Sequence, residues 1–142
     1  MEKEQEICLI RTALQARERA YAPYSHYKVG AAILTEQGEI FDGCNVENAS
    51  YGAAICAERC AVTKAVSTTG TLRIKAVAVV GGPEDCHGEM PEEAPPCGIC
   101  RQVLREFAVP GECVVLLAKS EEKYRGFTLQ EILPESFGPE KL

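Results

Sequence analysis

The sequence has no long apolar run, no basic opening segment and no surplus of positive charge. Its longest apolar stretches, Ala76 to Val80 and Cys113 to Ala118, fall far short of the roughly 20 residues that a spanning helix needs, which argues against a membrane protein. The opening Met1-Glu2-Lys3-Glu4-Gln5-Glu6 is acidic where a secretory signal is basic and then apolar, so a cytoplasmic, reducing setting is expected. Lys and Arg number 15 against 21 Asp and Glu, a net charge of −6, and such a surface repels a polyanion; long nucleic acid is not the expected partner. Repeats, linkers and low-complexity tracts are absent too. The 142 residues therefore read as a single domain spanning 1–142. A chain of that length buries about 68–70% of its unfolded surface and needs no disulfide staples.

What the sequence does have is eight cysteines. In a reducing compartment these serve as metal ligands, nucleophiles or small core residues more often than as disulfides. Their placement depends on the secondary structure. Ile7, Ile10, Leu14 and Tyr21 share a helical face with Ala13 and Ala20 alongside, predicting an amphipathic helix over Glu2 to Tyr21 that Pro23 stops. Val29 to Leu34, a turn at Glu36-Gln37-Gly38, and Ile40-Phe41 read as a hairpin. A second helix is expected over Cys56 to Val66, ended by Gly70, and a buried strand over Leu72 to Val80. A loop of about 16 residues, Gly81 to Pro96, is long enough to be functional. A helix over Cys97 to Phe107, a strand over Cys113 to Ala118 and a capping box at Thr128-Leu129-Gln130-Glu131 complete the order. This alternation predicts an α/β fold, a mixed sheet covered by helices, with both middle helices starting at one sheet edge. Ligands bind at that edge in such folds.

Two cysteine motifs sit at those helix starts. Pro96-Cys97-Gly98-Ile99-Cys100 opens one, where unpaired amides and the positive dipole end favour thiolates. Cys56-Ala57-Glu58 opens the other, so a thiolate there could complete a three-sulfur site with a fourth position open, as a catalytic zinc requires. Glu58 falls near that site without having to ligate. Cys8, Cys44 and Cys113 read as small core residues. Cys60, one turn after Cys56, would close the site if it ligated, and Cys86-His87 in the long loop is a competing metal pair. His26 reads as a solvated loop residue.

Ala22-Pro23-Tyr24-Ser25, Val29-Gly30-Ala31-Ala32, Gly43-Cys44-Asn45-Val46-Glu47-Asn48, Cys56-Ala57-Glu58-Arg59 and Pro96-Cys97-Gly98-Ile99-Cys100-Arg101-Gln102 resemble, in order, the signatures of the small, homotetrameric, zinc-dependent cytidine deaminases. The resemblance runs from Ala16 to about Phe137. It implies a three-layer α/β/α sandwich with a mixed, mainly parallel sheet. One Zn2+ per subunit is implied on Cys56, Cys97 and Cys100, with proton transfer by Glu58. The implied reaction is hydrolysis of cytidine and deoxycytidine to uridine and deoxyuridine with loss of ammonia, in a homotetramer. Arg59 is implied to hydrogen-bond the thiolates, Asn45 and Glu47 to hold the ribose 3′-hydroxyl, and Tyr27, usually Phe in the family, to pack on the pyrimidine. Ala57 is expected at the substrate, and Tyr51 and Phe137 near a neighbouring subunit's site.

Other readings compete. A structural zinc module would normally supply four ligands and leave Glu58 idle. A deaminase of a modified cytosine nucleoside, a nucleoside antibiotic or polynucleotide cytosine would share the metal motif. Acidity argues against the polynucleotide, and Asn45 with Glu47 argues for a sugar-bearing monomer.

Overall fold

A computed structural model describes residues 1–142. In chain order the elements are α1 (Lys3–Arg17), β1 (Tyr27–Thr35), β2 (Ile40–Cys44), α2 (Ala57–Thr69), β3 (Ile74–Pro83), α3 (Gly98–Phe107), β4 (Val114–Ala118), β5 (Tyr124–Thr128) and α4 (Leu129–Ile132). The strands form one sheet in the order β2-β1-β3-β4-β5. Alternation along the central strands sets the layers. Ala32, Leu34, Ala76, Ala78, Val80, Leu116 and Ala118 point to one face and pack with Leu9, Ile10 and Ala13 of α1. Ile33, Val77, Val79, Val115 and Leu117 point to the other and pack with Ala61, Val62 and Ala65 of α2 and Leu104 of α3. The expected helix-covered mixed sheet is what forms.

Its expected mainly parallel character is corrected. Only β3 and β4 are parallel neighbours; β1 is antiparallel to both β2 and β3, and β5 is antiparallel to β4. The cause is the route of α2, which carries the chain from β2 to β3 while β1 lies between them, so the strands it joins run the same way without touching. The edge strand β5 is not anticipated by pattern, because Tyr124-Arg-Gly-Phe-Thr leaves only Tyr124 and Phe127 half-buried. Parallel β2, β3 and β4 still end at one sheet edge, where antiparallel β1 begins. The starts of α2 and α3 and the ring of Tyr27 are thereby brought to the same edge.

Close helix packing needs two glycines. A Cβ on Gly30 would stand 1.9 Å from the Ala13 carbonyl oxygen of α1, and one on Gly43 would stand 2.5 Å from the Ala61 nitrogen of α2. The first helix ends earlier than predicted, at Arg17, so Tyr21 is exposed while Leu9 and Arg17 are buried. Arg17 is a charge that periodicity hides. Its guanidinium donates to the carbonyls of Lys28 at the start of β1, Gly82 and Pro83 at the end of β3, and Cys86 just beyond it, so the buried charge is satisfied by backbone acceptors. The capping box forms as expected, Thr128 accepting from the Glu131 amide and Glu131 from the Thr128 amide. Of the cysteines expected in the core, Cys113 is buried and Cys44 half-buried, but Cys8 is exposed, since it lies beside rather than on the buried stripe of α1. No helix is long and apolar enough to cross a membrane.

Candidate active site

Cys56 is the N-cap of α2 and Cys97 the N-cap of α3, both with extended backbone and neither using its side chain as a cap. Their sulfurs therefore project beyond the helix ends. Cys100, in the first turn of α3, is buried behind them. All three sulfurs lie within 4.8 Å of one another, and Cys56 Sγ is 4.0 Å from Cys97 Sγ. Tetrahedral zinc with Zn–S bonds of about 2.3 Å sets its sulfurs about 3.8 Å apart, so the donor set fits that ion by spacing as well as by softness. Two helix N-termini converge there and favour the anionic form of the ligands.

Charge around the sulfurs is arranged to match. Arg59 donates Nη2–H toward Cys56 Sγ at 3.6 Å, while its Nε is buried with no partner. The adjoining Cys100 thiol, with Arg59 and Cys97, pulls the Cys56 thiol below its usual range. Cys100 is pushed upward, first because it donates to Cys56 and then by burial. Glu58, only 4% exposed, has its carboxyl raised by burial to about 7. No fourth ligand joins the cluster. Cys60 turns toward β2, where its Cβ lies 2.9 Å from the place a Gly43 side chain would take. Cys86 is half-buried, donating to the Glu89 carbonyl, and His87 is exposed. His26 is exposed, beside Glu84 at 3.0 Å.

A cavity of about 500 Å³ opens over this cluster. It is lined by Tyr27, Asn45, Glu47, Tyr51, Ala57, Glu58 and Arg59 together with Cys56 and Cys97, so the fold gathers nearly every residue that the sequence singles out. Phe137 is not among them. It is exposed on the surface, its carbonyl accepting from Gln102 of α3 at 2.9 Å. Two comparable grooves, beside Arg105 and beside Lys123, gather no such set of metal donors.

Residues 45–47 are held extended by bridges from Val46 to Tyr21 and to Ile55, which places Asn45 and Glu47 on one side. Asn45 Oδ1 accepts from the Val29 amide at 2.8 Å and Nδ2 donates to the Tyr27 carbonyl at 2.9 Å. Glu47 accepts from the Tyr24 and Ser25 amides at 2.9 and 3.1 Å and from the Ser25 hydroxyl. The Ser25 hydroxyl bond, followed by those amides, lowers its carboxyl below the usual range. Burial, then the charge of Glu92, raises the Tyr27 phenol. Tyr51 stands edge-on to Tyr24, with ring centroids 6.2 Å apart.

The long loop expected to be functional does form the outer wall, through Glu93, Ala94 and Pro95, but sequence reasoning misses which of its residues face the cavity, and it misses the apolar Val29, Ile55 and Val79. The two valines lie on strands, where only register tells which face they take. Nothing in the loop composition marks Glu93 as a wall residue.

The family model for the cytidine and deoxycytidylate deaminase zinc-binding region matches residues 3–117. Among curated proteins, the cytidine deaminase of Halalkalibacterium halodurans is 42% identical over 134 residues, 94% of this chain and 95% of that one. That of Mycobacterium tuberculosis is 44% identical over 130 residues, covering 92% and 87%. The crystal structure of cytidine deaminase from Burkholderia pseudomallei superposes with a TM-score of 0.76 at 43% identity, covering 92% of this chain and 97% of that one. A three-sulfur cluster compatible with one zinc ion, a buried glutamate beside it and matches of this extent place the chain in the cytidine and deoxycytidylate deaminase family.

Proposed function

We propose that this chain, working as one domain, hydrolyses cytidine and deoxycytidine to uridine and deoxyuridine with release of ammonia. The observation that carries the reading is a buried carboxylate, Glu58, beside three clustered sulfurs at the base of a nucleoside-sized cavity. Cys56, Cys97 and Cys100 would hold zinc, which when bound supplies Lewis acidity enough to bring the pKa of water from about 15.7 toward 7. Glu58 takes a proton from the attacking water and delivers it to the ring nitrogen beside the amino-bearing carbon, then assists the departing amine. Its burial keeps solvent from competing for that proton. Arg59 offsets the anionic charge of three thiolates around a divalent ion.

Asn45 retains one Nδ2 hydrogen and Glu47 retains acceptor lone pairs after their backbone bonds are made, which suits them to a ribose hydroxyl that both donates and accepts. Tyr27 offers its ring to the pyrimidine, and the start of α2 at Ala57 closes the base of the cavity. The exposed Tyr51 and Phe137 suit contact with neighbouring subunits of a homotetramer. The long rim loop favours one second reading, a cytosine nucleoside modified at base or sugar, whose reaction would be the same.

The test is uridine and ammonia release from cytidine, with and without chelator, alongside zinc content per chain. Metal-loaded, folded protein that releases no ammonia from cytidine would overturn the reading.

A further inference from the structure

We infer that Glu93 and Arg125 form a latch that fixes the outer wall of the cavity, making both positioning residues for the nucleoside; this rests on the proposed reading of the cavity. The segment joining β3 to α3 is long for so small a domain, yet it is fastened at three places. At its start Arg17 donates to the carbonyls of Pro83 at 2.6 Å and Cys86 at 3.0 Å. In its middle Met90 is 2% exposed and its amide donates to the Lys119 carbonyl at 3.0 Å. At its end Glu93 accepts both arms of the Arg125 fork from β5, Nε–H at 2.8 Å and Nη2–H at 2.6 Å.

Only the third fastening lies at the cavity. Glu93 lines it and Arg125 does not, so the arginine acts through the carboxylate. A two-pronged bond fixes direction as well as distance. Within the pair the Glu93 side chain is 19% exposed and that of Arg125 64%; the shielded partner is the one in the wall. The guanidinium is itself steadied over the Phe127 ring, 5.0 Å from its centroid. From Glu93 the position passes to Ala94, which fills the niche left by the missing side chain of Gly81. A Cβ there would stand 2.8 Å from Ala94 Cβ and 3.2 Å from Tyr27 Cε1. The latch therefore sets the space beside the aromatic ring proposed to face the pyrimidine.

Glu93→Gln, Arg125→Gln and the double variant test this in the zinc-loaded protein. Each single change should raise KM for cytidine about three- to fivefold, the scale of a partly shielded ion pair, with kcat and zinc content unchanged. The double variant should be no worse than either single one, as for groups acting as a unit. Hydrogen exchange at the amides of residues 92–94 should quicken in all three. Unchanged KM and exchange in both single variants, or additive effects in the double, would overturn the latch. If the parent protein does not turn over cytidine, the nucleoside reading fails, and the exchange measurement still decides whether the latch holds the wall.

Discussion

The two ends of the cavity are built on opposite plans. At the sulfur end, groups suited to a metal ion converge: three thiols crowd within 4.8 Å, Arg59 Nε is buried without an acceptor, and Glu58 is buried as a carboxyl raised to about 7. At the other end, proposed for the sugar and called the sugar end, Asn45 and Glu47 already hold the backbone of residues 24–29 through hydrogen bonds. One end is a convergent set of metal donors; the other is tied to its own backbone and offers a ligand its spare valences. Metal loss should therefore damage chemistry first, whereas substitutions at the sugar end should damage binding, and the fold as well where they leave backbone groups without partners.

The largest expected effect is at the sulfur end. Removing zinc with a chelator, or changing Cys97 to Ser, should abolish uridine formation and lower the melting temperature, because the ion stabilises only the folded state. Unchanged turnover in protein shown to be metal-free would break the comparison at once. Next comes Glu58→Gln, which keeps shape and removes the proposed proton carrier. Turnover should fall by about 10²–10⁴-fold while zinc per chain stays constant. Arg59→Ala should weaken zinc retention about 10- to 100-fold in a chelator competition, the usual cost of losing a group that supports metal ligands. Retention equal to the parent would mean that Arg59 serves only the surface of α2.

The contrast also explains what the sequence reveals. Sulfur ligands are legible because the chemistry demands particular residue types at helix starts, and Cys56, Cys97 and Cys100 meet as their spacing implies. The hairpin, the helix-covered sheet and the Thr128 cap follow from local rules and also form. Strand neighbours do not, since nothing in the α2 sequence says that the chain will pass β1 before reaching β3. Arg17 is hidden for a similar reason: a charged residue at a helix end reads as solvated until tertiary contacts supply four carbonyls. The present partners of Asn45 and Glu47 are equally illegible, because they depend on backbone groups of residues 24–29 folding over them.

At the sugar end, Asn45→Ala should both raise KM for cytidine and destabilise the zinc-loaded protein. It leaves the partly buried Val29 amide without its acceptor, at a cost of about 1–3 kcal/mol, and the Tyr27 carbonyl without its donor, at less because water reaches it. Glu47→Gln should act mainly on KM. With its carboxyl held below the usual range, the Glu47 anion is in place at neutral pH, and its contribution is lost only as pH falls through the lowered folded value. KM measured from neutral to acid pH should therefore rise only at the acid end in the parent. A melting temperature unmoved by Asn45→Ala would show that the sugar end is not self-supporting.

The smallest expected effect lies at Cys60, one turn beyond Cys56 and chemically able to ligate. Its side chain meets β2 at Gly43, so it is a packing group in a tight seam between helix and sheet. Cys60→Thr replaces sulfur by groups of similar bulk and should leave stability within about 0.5 kcal/mol, zinc content unchanged and turnover within about twofold. Cobalt substitution makes the test sharper, because visible absorption reports the number of thiolates bound. Spectra that coincide for parent and variant place three sulfurs on the metal and keep its fourth position open. A lost sulfur-to-metal band would mean that Cys60 closes the site, and the metal would have no open coordination position at which to run a hydrolysis.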